Sequence, residues 1–221
     1  MNNKKLIIFD LDGTLYQFKN GTFVDSGLQK IILCNALRYI QKTLSVTNEK
    51  AKKILISIQN EYGEEISIAM EEKYGCTRRE YFDFVWNVNV KGLVYGSSNT
   101  RDMLSRLEQK YDLLLISDAA YVWIQNALAE LKISEFFEGK ILSGDGQKRK
   151  SLGNRFNEIS KQFNIAPKNV IVVGDQEKTD IIPAKVCGFK TIHVNKQYKS
   201  KIADVNICNI DECEKAIISL V

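Results

Sequence analysis

The chain has 221 residues, of which 44% are hydrophobic and 26% are charged, and its formal net charge is +4. This length accommodates one full domain with a modest insertion, and the apolar content is sufficient for a real core. The positive charge is spread along the chain, and its densest spot, at 147–150, is too small to form a binding surface for a nucleic acid polymer.

Membrane insertion and secretion are not indicated by the sequence. No apolar run approaches the ~18 residues that a bilayer-spanning helix requires. The apolar core that follows Lys5 ends at Asp10 and is too short for a signal peptide. The five cysteines are scattered and include no CxxC pair, which argues against a disulfide framework or a zinc site. We therefore expect a cytoplasmic protein with no membrane partner.

The first predicted element is a short apolar strand at residues 5–9, which ends in an acidic residue and a glycine-containing turn. The stretch from about residue 18 to residue 96 then contains no convincing strand. Its apolar spacing predicts consecutive helices at 25–44, 48–61, 64–73 and 78–88. Thr47, followed by the acidic Glu49, is a plausible start for the second of these helices.

Beyond residue 96, predicted strands and helices alternate. The strands are expected at 113–116, 140–142, 170–173, 191–194 and 205–207, and the helices at 99–110, 121–131 and 152–163. Such alternation indicates a parallel sheet with crossover helices on both faces. The predicted fold is therefore an α/β, Rossmann-like doubly wound parallel sheet. Residues 1–17 and 97–221 form this core, and 18–96 form an inserted all-helical domain.

Polar side chains follow three of the predicted strands. Because ligands of open parallel sheets bind beyond the carboxyl ends of the strands, these side chains are expected to converge at one edge. The convergence of several acids from distant parts of the sequence is unusual. The residues are Asp10 and Asp12 after the first strand, Ser117 and Asp118 after the second, and Asp175 and Asp180 after a later one.

This set of oxygen ligands indicates a hard divalent cation, and Mg²⁺ in particular, since no histidine or cysteine accompanies it. A cation would offset the repulsion between Asp10 and Asp175. An ionised Asp10 could then attack phosphorus, while Asp12 gives a proton to the leaving oxygen and later takes one from water. A calcium-binding EF-hand loop does not fit, because Gly21 stands where that loop needs a glutamate.

Four motifs of the sequence resemble those of the haloacid dehalogenase superfamily of phosphatases. FDLDGTL at 9–15 is similar to the first signature, LLIS at 114–117 to the second and GDQEKTD at 174–180 to the fourth. The third signature is a single lysine. Lys150 matches it better than Lys148, because Phe156 lies six residues further on. The resemblance covers nearly the whole chain, with the motifs in the family's order.

The resemblance implies a role for each residue. Asp10 would be the nucleophile that forms an aspartyl-phosphate, and Asp12 the acid/base. Mg²⁺ would be held by Asp10, the backbone carbonyl of Asp12, and Asp175, with Asp180 as an orienting carboxylate. Ser117, Asp118 and Lys150 would form the phosphate-binding group. Asp118 departs from the family pattern, in which many members have asparagine. Its charge would either pair with a cation such as Lys150, which we favour, or turn away from the site.

The helical insertion resembles the type-one cap of the same superfamily. Segments 74–77, 81–85 and 92–95 are loosely similar to pyrimidine 5′-nucleotidase-like members, although a place in the core of the cap is the simpler interpretation of the aromatic residues at 81–86. The predicted function is a Mg²⁺-dependent phosphomonoester hydrolase of a small phosphorylated metabolite, with a nucleoside 5′-monophosphate as one candidate. The alternatives are a phosphosugar mutase of the same superfamily and a catalytically silent binding protein.

Overall fold

A parallel sheet of six strands organises the part of the chain that the computed structural model describes, which is residues 5–146, 148–150 and 155–221. The strand order is β5-β4-β1-β6-β7-β8, and all of these pairs are parallel. The α/β prediction is therefore confirmed. The strands are β1 (Lys5–Phe9), β2 (Tyr16–Phe18), β3 (Val94–Gly96), β4 (Tyr111–Ile116), β5 (Ile141–Leu142), β6 (Val170–Gly174), β7 (Lys190–Val194) and β8 (Val205–Ile207).

Helices cover both faces of the sheet, because alternate residues of its central strands point to opposite sides. Ile7 and Phe9 of β1 belong to a large apolar cluster on one face, and Leu6 and Ile8 to a smaller one on the other. The helices are α1 (Leu28–Leu44), α2 (Asn48–Tyr62), α3 (Ile66–Tyr74), α4 (Arg78–Val85), α5 (Thr100–Glu108), α6 (Tyr121–Glu130), α7 (Ile159–Gln162), α8 (Ile182–Val186) and α9 (Cys213–Leu220).

Helices α1 to α4, hereafter the helical segment (28–85), follow one another between β2 and β3. Thr47 precedes α2 as predicted, and its side chain accepts a hydrogen bond from the Lys50 amide at 3.3 Å. Thr77 and Glu80 form a reciprocal capping box at the start of α4, which fixes where that helix begins. None of the described helices combines the length and apolar character that a membrane crossing needs.

Two local expectations differ from the structure. The sequence indicated no strand near Tyr16 or within 18–96, yet β2 and β3 pair as an antiparallel ribbon at the base of the helical segment. Strands of three residues are too short to show a clear alternation. The helix expected at 152–163 is reduced to α7, and residues 152–154 lie outside the described residues. Phe156 and Ile159 are nevertheless buried, so a turn and a short helix satisfy their apolar spacing.

Candidate active site

The carboxyl ends of β1, β4 and β6 meet at one edge of the sheet. Asp10 follows β1 directly, and its amide donates a hydrogen bond to the carbonyl of Val173 in β6 at 2.9 Å. Ser117 follows β4, and Asp175 follows β6. The Asp10 side chain is buried at 4% exposure. The parallel register therefore brings together residues that are more than a hundred positions apart in the sequence.

Asp10, Asp175 and Asp180 form a carboxylate cluster in which one oxygen from each residue lies within 4.8 Å of the others. Asp180 belongs to a π-helical turn, Glu177–Ile181, and accepts a hydrogen bond from the Gln176 amide at 3.0 Å. Burial, reinforced by the charges of Asp10 and Asp180, raises the pKa of Asp175 to about 8.

The carboxylate cluster fits a divalent cation. One oxygen of Asp175, Oδ1, is buried and has no hydrogen-bond partner among the described residues. A buried acceptor without a partner is costly, and a cation would supply the missing interaction. The atoms that would coordinate the cation are all carboxylate oxygens, which suit Mg²⁺. The sequence indicated that Asp10, Asp175 and Asp180 would converge at this edge of the sheet, and the structure brings the three carboxylates together.

The Lys150 side chain lies against the carboxylate cluster. Its ammonium donates to Asp10 Oδ1 and, at 2.6 Å, to Asp180 Oδ1, and it is 6% exposed. Burial alone would lower the pKa of Lys150, but the two carboxylates outweigh burial and the pKa is raised. Lys148, by contrast, pairs with Glu158 on the surface. Of the two candidate lysines, Lys150 is the one beside Asp10.

The Asp12 side chain is held by two aromatic residues and a serine. Its Oδ1 accepts hydrogen bonds from the hydroxyl of Tyr16 and, at 3.1 Å, from Nε1 of Trp123, while Ser117 Oγ donates to Oδ2 at 3.3 Å. Burial and the charge of Asp10 raise the pKa of Asp12, against the opposing effect of the two aromatic donors. A raised pKa favours the protonated carboxyl that a general acid requires.

Asp118 interacts with Lys150 through the backbone. Its Oδ1 accepts a hydrogen bond from the Lys150 amide at 2.6 Å, while the Lys150 ammonium is directed at Asp10 and Asp180. The sequence suggested a charge pair with a cation such as Lys150. The structure shows Asp118 holding the main chain of Lys150, and the negative charge of Asp118 also acts on Arg155, where it opposes the lowering of the guanidinium pKa by burial.

Sequence reasoning missed several partners of these residues. Thr14 donates its hydroxyl to Asp10 Oδ2 at 2.9 Å, and it lies inside the first motif, where its position could have indicated this contact. The sequence carries no signal of a polar role for Tyr16 or Trp123. His193 is fully buried, and its Nε2 lies 3.0 Å from the backbone oxygen of Asp175.

Comparison with known proteins shows partial similarity to two curated phosphatases. The chain is 34% identical over 93 residues to the glyceraldehyde 3-phosphate phosphatase of Pyrococcus abyssi (strain GE5 / Orsay). It is 31% identical over 93 residues to the protein of the same name from Pyrococcus furiosus (strain ATCC 43587 / DSM 3638 / JCM 8422 / Vc1). Each match covers 42% of this chain and 39% of the relative, so the similarity spans well under half of those proteins.

Solved structures share the fold over nearly the whole chain. A HAD phosphatase from Thermococcus onnurineus superimposes with a TM-score of 0.63 at 16% identity, covering 96% of this chain and 97% of the other. A haloacid dehalogenase-like family protein from Streptococcus pneumoniae gives 0.57 at 20% identity, covering 98% and 100%. The family model for haloacid dehalogenase-like hydrolases matches residues 4–188. The chain therefore belongs to the haloacid dehalogenase-like hydrolase family.

Proposed function

We propose that this protein is a Mg²⁺-dependent phosphomonoester hydrolase that acts on a small phosphorylated metabolite through an aspartyl-phosphate at Asp10. The observation that carries the proposal is the cluster of Asp10, Asp175 and Asp180, of which Asp10 and Asp180 are buried, with the Lys150 ammonium against it. Three acids and one lysine at the end of a parallel sheet can hold both a cation and a phosphoryl group.

The cation would be held by Asp10, Asp175 and the backbone carbonyl of Asp12, with Asp180 as an orienting carboxylate. When bound, Mg²⁺ supplies charge neutralisation for the phosphoryl oxygens and for the carboxylates around them. The buried Asp175 oxygen without a hydrogen-bond partner among the described residues supports this assignment.

Asp10 then acts as the nucleophile. Its carboxylate oxygen forms a bond to phosphorus as the bond to the leaving oxygen breaks, and Asp12 donates a proton to that oxygen. In the second half of the cycle Asp12 removes a proton from water, whose oxygen displaces Asp10 from phosphorus and releases phosphate. Thr14 and Lys150 each donate to a different oxygen of Asp10, which holds the carboxylate in one orientation.

Phosphoryl binding is assigned to Ser117 and Lys150, with Asp118 holding the main chain of Lys150. Ser117 is 2% exposed and its hydroxyl lies beside Asp12, at the end of β4. The Lys150 ammonium lies on the carboxylate of Asp10. A hydroxyl at Asp12 and an ammonium at Asp10 would neutralise and orient a dianionic ester.

Residues 18–96 form a cap domain of the type-one kind in this proposal, and residues 1–17 and 97–221 form the catalytic core. Along the chain, the four helices of the helical segment are inserted between β2 and β3, and these two strands pair with each other. This arrangement supports the division. A cap over the site would exclude bulk water while the aspartyl-phosphate is present.

The substrate is proposed to be small. A cavity of about 370 Å³ lies beside Asp175 and is lined in part by Gly13, Tyr95 and Asn195. This volume suits a metabolite rather than a polymer. The partial similarity to two glyceraldehyde 3-phosphate phosphatases makes a phosphosugar the first class to test. The nucleoside 5′-monophosphate suggested by the helical segment is the second.

A panel of phosphate esters tests the proposed function. The panel contains an aryl phosphate, triose and hexose phosphates and nucleoside 5′-monophosphates, each measured by phosphate release with Mg²⁺ or with EDTA. We expect turnover only with Mg²⁺, none with Asp10→Asn, and normal turnover with Asp83→Asn, an exposed acid in α4. Product isomerisation without phosphate release would instead indicate a mutase, and turnover by Asp10→Asn would exclude Asp10 as nucleophile.

A further inference from the structure

The loop that carries Lys150 lies between the catalytic sheet and the helical segment. We call its described residues, 143–146 and 148–150, the lysine loop. On the core side, the Gly144 amide donates to the carbonyl of Ala119 at 2.9 Å, and the Lys150 amide donates to Asp118 at 2.6 Å. A methyl group added at Gly144 would overlap the carbonyl of Asp118. The loop therefore lies directly on the end of β4.

The opposite side of the lysine loop is bound by an arginine of the helical segment. Arg78, the first residue of α4, is 7% exposed. Its Nη1 donates to the carbonyl of Gly146 at 3.2 Å, and its Nη2 to that of Gly144 at 3.1 Å. The Nε group donates to Ser67 Oγ of α3 at 3.3 Å, which fixes the plane of the guanidinium. A planar fork of this kind contacts two carbonyls at once, and a lysine ammonium cannot reproduce it.

In a second contact, an arginine of the lysine loop binds an acid of the helical segment. Arg149, immediately before Lys150, donates from Nη1 to both carboxylate oxygens of Glu65 at 2.9 Å. Glu65 directly precedes α3, so this pair joins the lysine loop to the same part of the helical segment. The Arg149 side chain is 12% exposed and that of Glu65 is 45% exposed. Two arginines, one from each side, thus connect the helical segment to Gly144, Gly146 and Arg149 of the lysine loop.

Taken with the contacts of Lys150 itself, these links form a continuous chain. The helical segment holds Gly144, Gly146 and Arg149, and the next residue, Lys150, places its ammonium on Asp10 and Asp180. We propose that Arg78 and the Arg149–Glu65 pair are positioning residues that make the placement of Lys150 depend on docking of the helical segment. The consequence for catalysis rests on the proposed role of Lys150 in phosphoryl binding.

Hydrogen exchange followed by mass spectrometry tests this coupling without reference to activity. We expect Arg78→Ala to accelerate exchange roughly tenfold in the peptide that contains Gly144, Gly146 and Lys150, because charge-assisted hydrogen bonds to the loop are lost. Glu65→Gln should have a smaller effect in the same peptide. The matched control is Arg79→Ala, whose side chain is 86% exposed and pairs with Asp83 on the surface; it should leave the peptide unchanged. Equal exchange in the two arginine variants would overturn the proposal.

Steady-state kinetics on an aryl phosphate provide the functional readout. Loosening of Lys150 should raise KM for the ester and the inhibition constant of inorganic phosphate by roughly tenfold in Arg78→Ala, with a partial effect in Arg78→Lys. Added guanidinium ion should restore part of the affinity in Arg78→Ala and none in Arg79→Ala. An unchanged KM together with a lower kcat would contradict a positioning role.

The exchange and kinetic experiments test this proposal and the proposed function independently of each other. A wild-type protein inactive on every ester would refute the proposed function, while the exchange experiment would still decide whether the helical segment holds the lysine loop. If Arg78→Ala fails to fold, Arg78→Lys and Glu65→Gln replace it, since both keep a polar side chain at their positions. Faster exchange of the loop in these variants supports the coupling, and wild-type exchange in both overturns it.

Discussion

Individual side chains in this site work through their hydrogen-bond partners as much as through their charge. Asp12 accepts from Tyr16 and Trp123, and Trp123 Nε1 also lies 3.1 Å from the Tyr16 hydroxyl. Burial, with the nearby Asp12 carboxylate, raises the pKa of Tyr16 well above its ordinary value, so its hydroxyl remains a donor. These two aromatic side chains hold the proposed acid/base in one orientation.

Tyr16→Phe removes one donor from Asp12 and leaves the ring in place. We expect kcat to fall roughly tenfold, because the proton donor loses part of its orientation, while the melting temperature changes little. Tyr81→Phe is the matched control, since Tyr81 is 3% exposed and packs against the ring of Tyr39 in the helical segment. Equal kinetic effects of the two substitutions would show that the Tyr16 hydroxyl does not orient Asp12.

Asp118 provides a second prediction for a single residue. Its Oδ1 accepts from the Lys150 amide, and an asparagine oxygen can accept the same hydrogen bond. We therefore expect Asp118→Asn to keep kcat/KM within about threefold of the wild-type value, and Asp118→Ala to lose roughly tenfold or more. If the asparagine variant were as impaired as the alanine variant, the charge of Asp118 would be the property that matters.

At the scale of elements, the turn after β1 has to pass very close to the end of β6. Gly13 has φ +83°, and a methyl group there would overlap the carboxylate of Asp175. The side chain of Asp175 can reach Asp10 only because the turn carries no side chain at this position. The close approach of two elements therefore depends on one glycine.

Gly13→Ala and Gly27→Ala separate these two effects. Both glycines have positive φ, and nothing lies within 4 Å of an added methyl group at Gly27. Each substitution should lower the free energy of unfolding by about 1 kcal/mol because of its left-handed backbone. Only Gly13→Ala should also lose activity and Mg²⁺-induced thermal stabilisation. A fully active Gly13→Ala would show that the close approach to Asp175 is not required.

The fold followed from the sequence where its elements are long or buried. The strand predicted at 5–9 was found with its expected bounds, because a run of four apolar residues directly before an acid is typical of a buried strand in an α/β sheet. The positions of Asp10 and Asp175 followed from the same rule. Arg78 could not be found in this way, because its partners are backbone carbonyls of a distant loop and carry no sequence signal.

Over the whole molecule, ionisation of the carboxylate cluster lowers the stability of the fold, and the proposed cation would offset this effect. The pKa of Asp175 is raised to about 8 and that of Asp180 to about 6, in both cases chiefly by burial. A carboxyl whose folded pKa is raised contributes stability that is complete below its unfolded pKa, near 3.8, and lost as the pH rises through the folded value. The metal-free protein is therefore expected to lose stability as the cluster ionises.

Melting temperatures measured with EDTA and with excess Mg²⁺ test this expectation. Between about pH 6 and about pH 9, the melting temperature in EDTA should fall as Asp175 ionises, and the stabilisation by Mg²⁺ should grow because protons compete less. Asp175→Asn should be less sensitive to both pH and Mg²⁺. A stabilisation by Mg²⁺ that is independent of pH, or equal in Asp175→Asn, would place cation binding elsewhere.

Asp10 is proposed to carry the phosphoryl group during turnover, and this role can be tested by trapping the aspartyl-phosphate. The enzyme is mixed with Mg²⁺ and an aryl phosphate, quenched in acid during turnover, and digested for peptide mass mapping. We expect one phosphate on the peptide that contains Asp10 in the wild-type protein, and none on the same peptide of Asp10→Asn. Phosphate on a different residue, or continued turnover with Asp10→Asn, would contradict it.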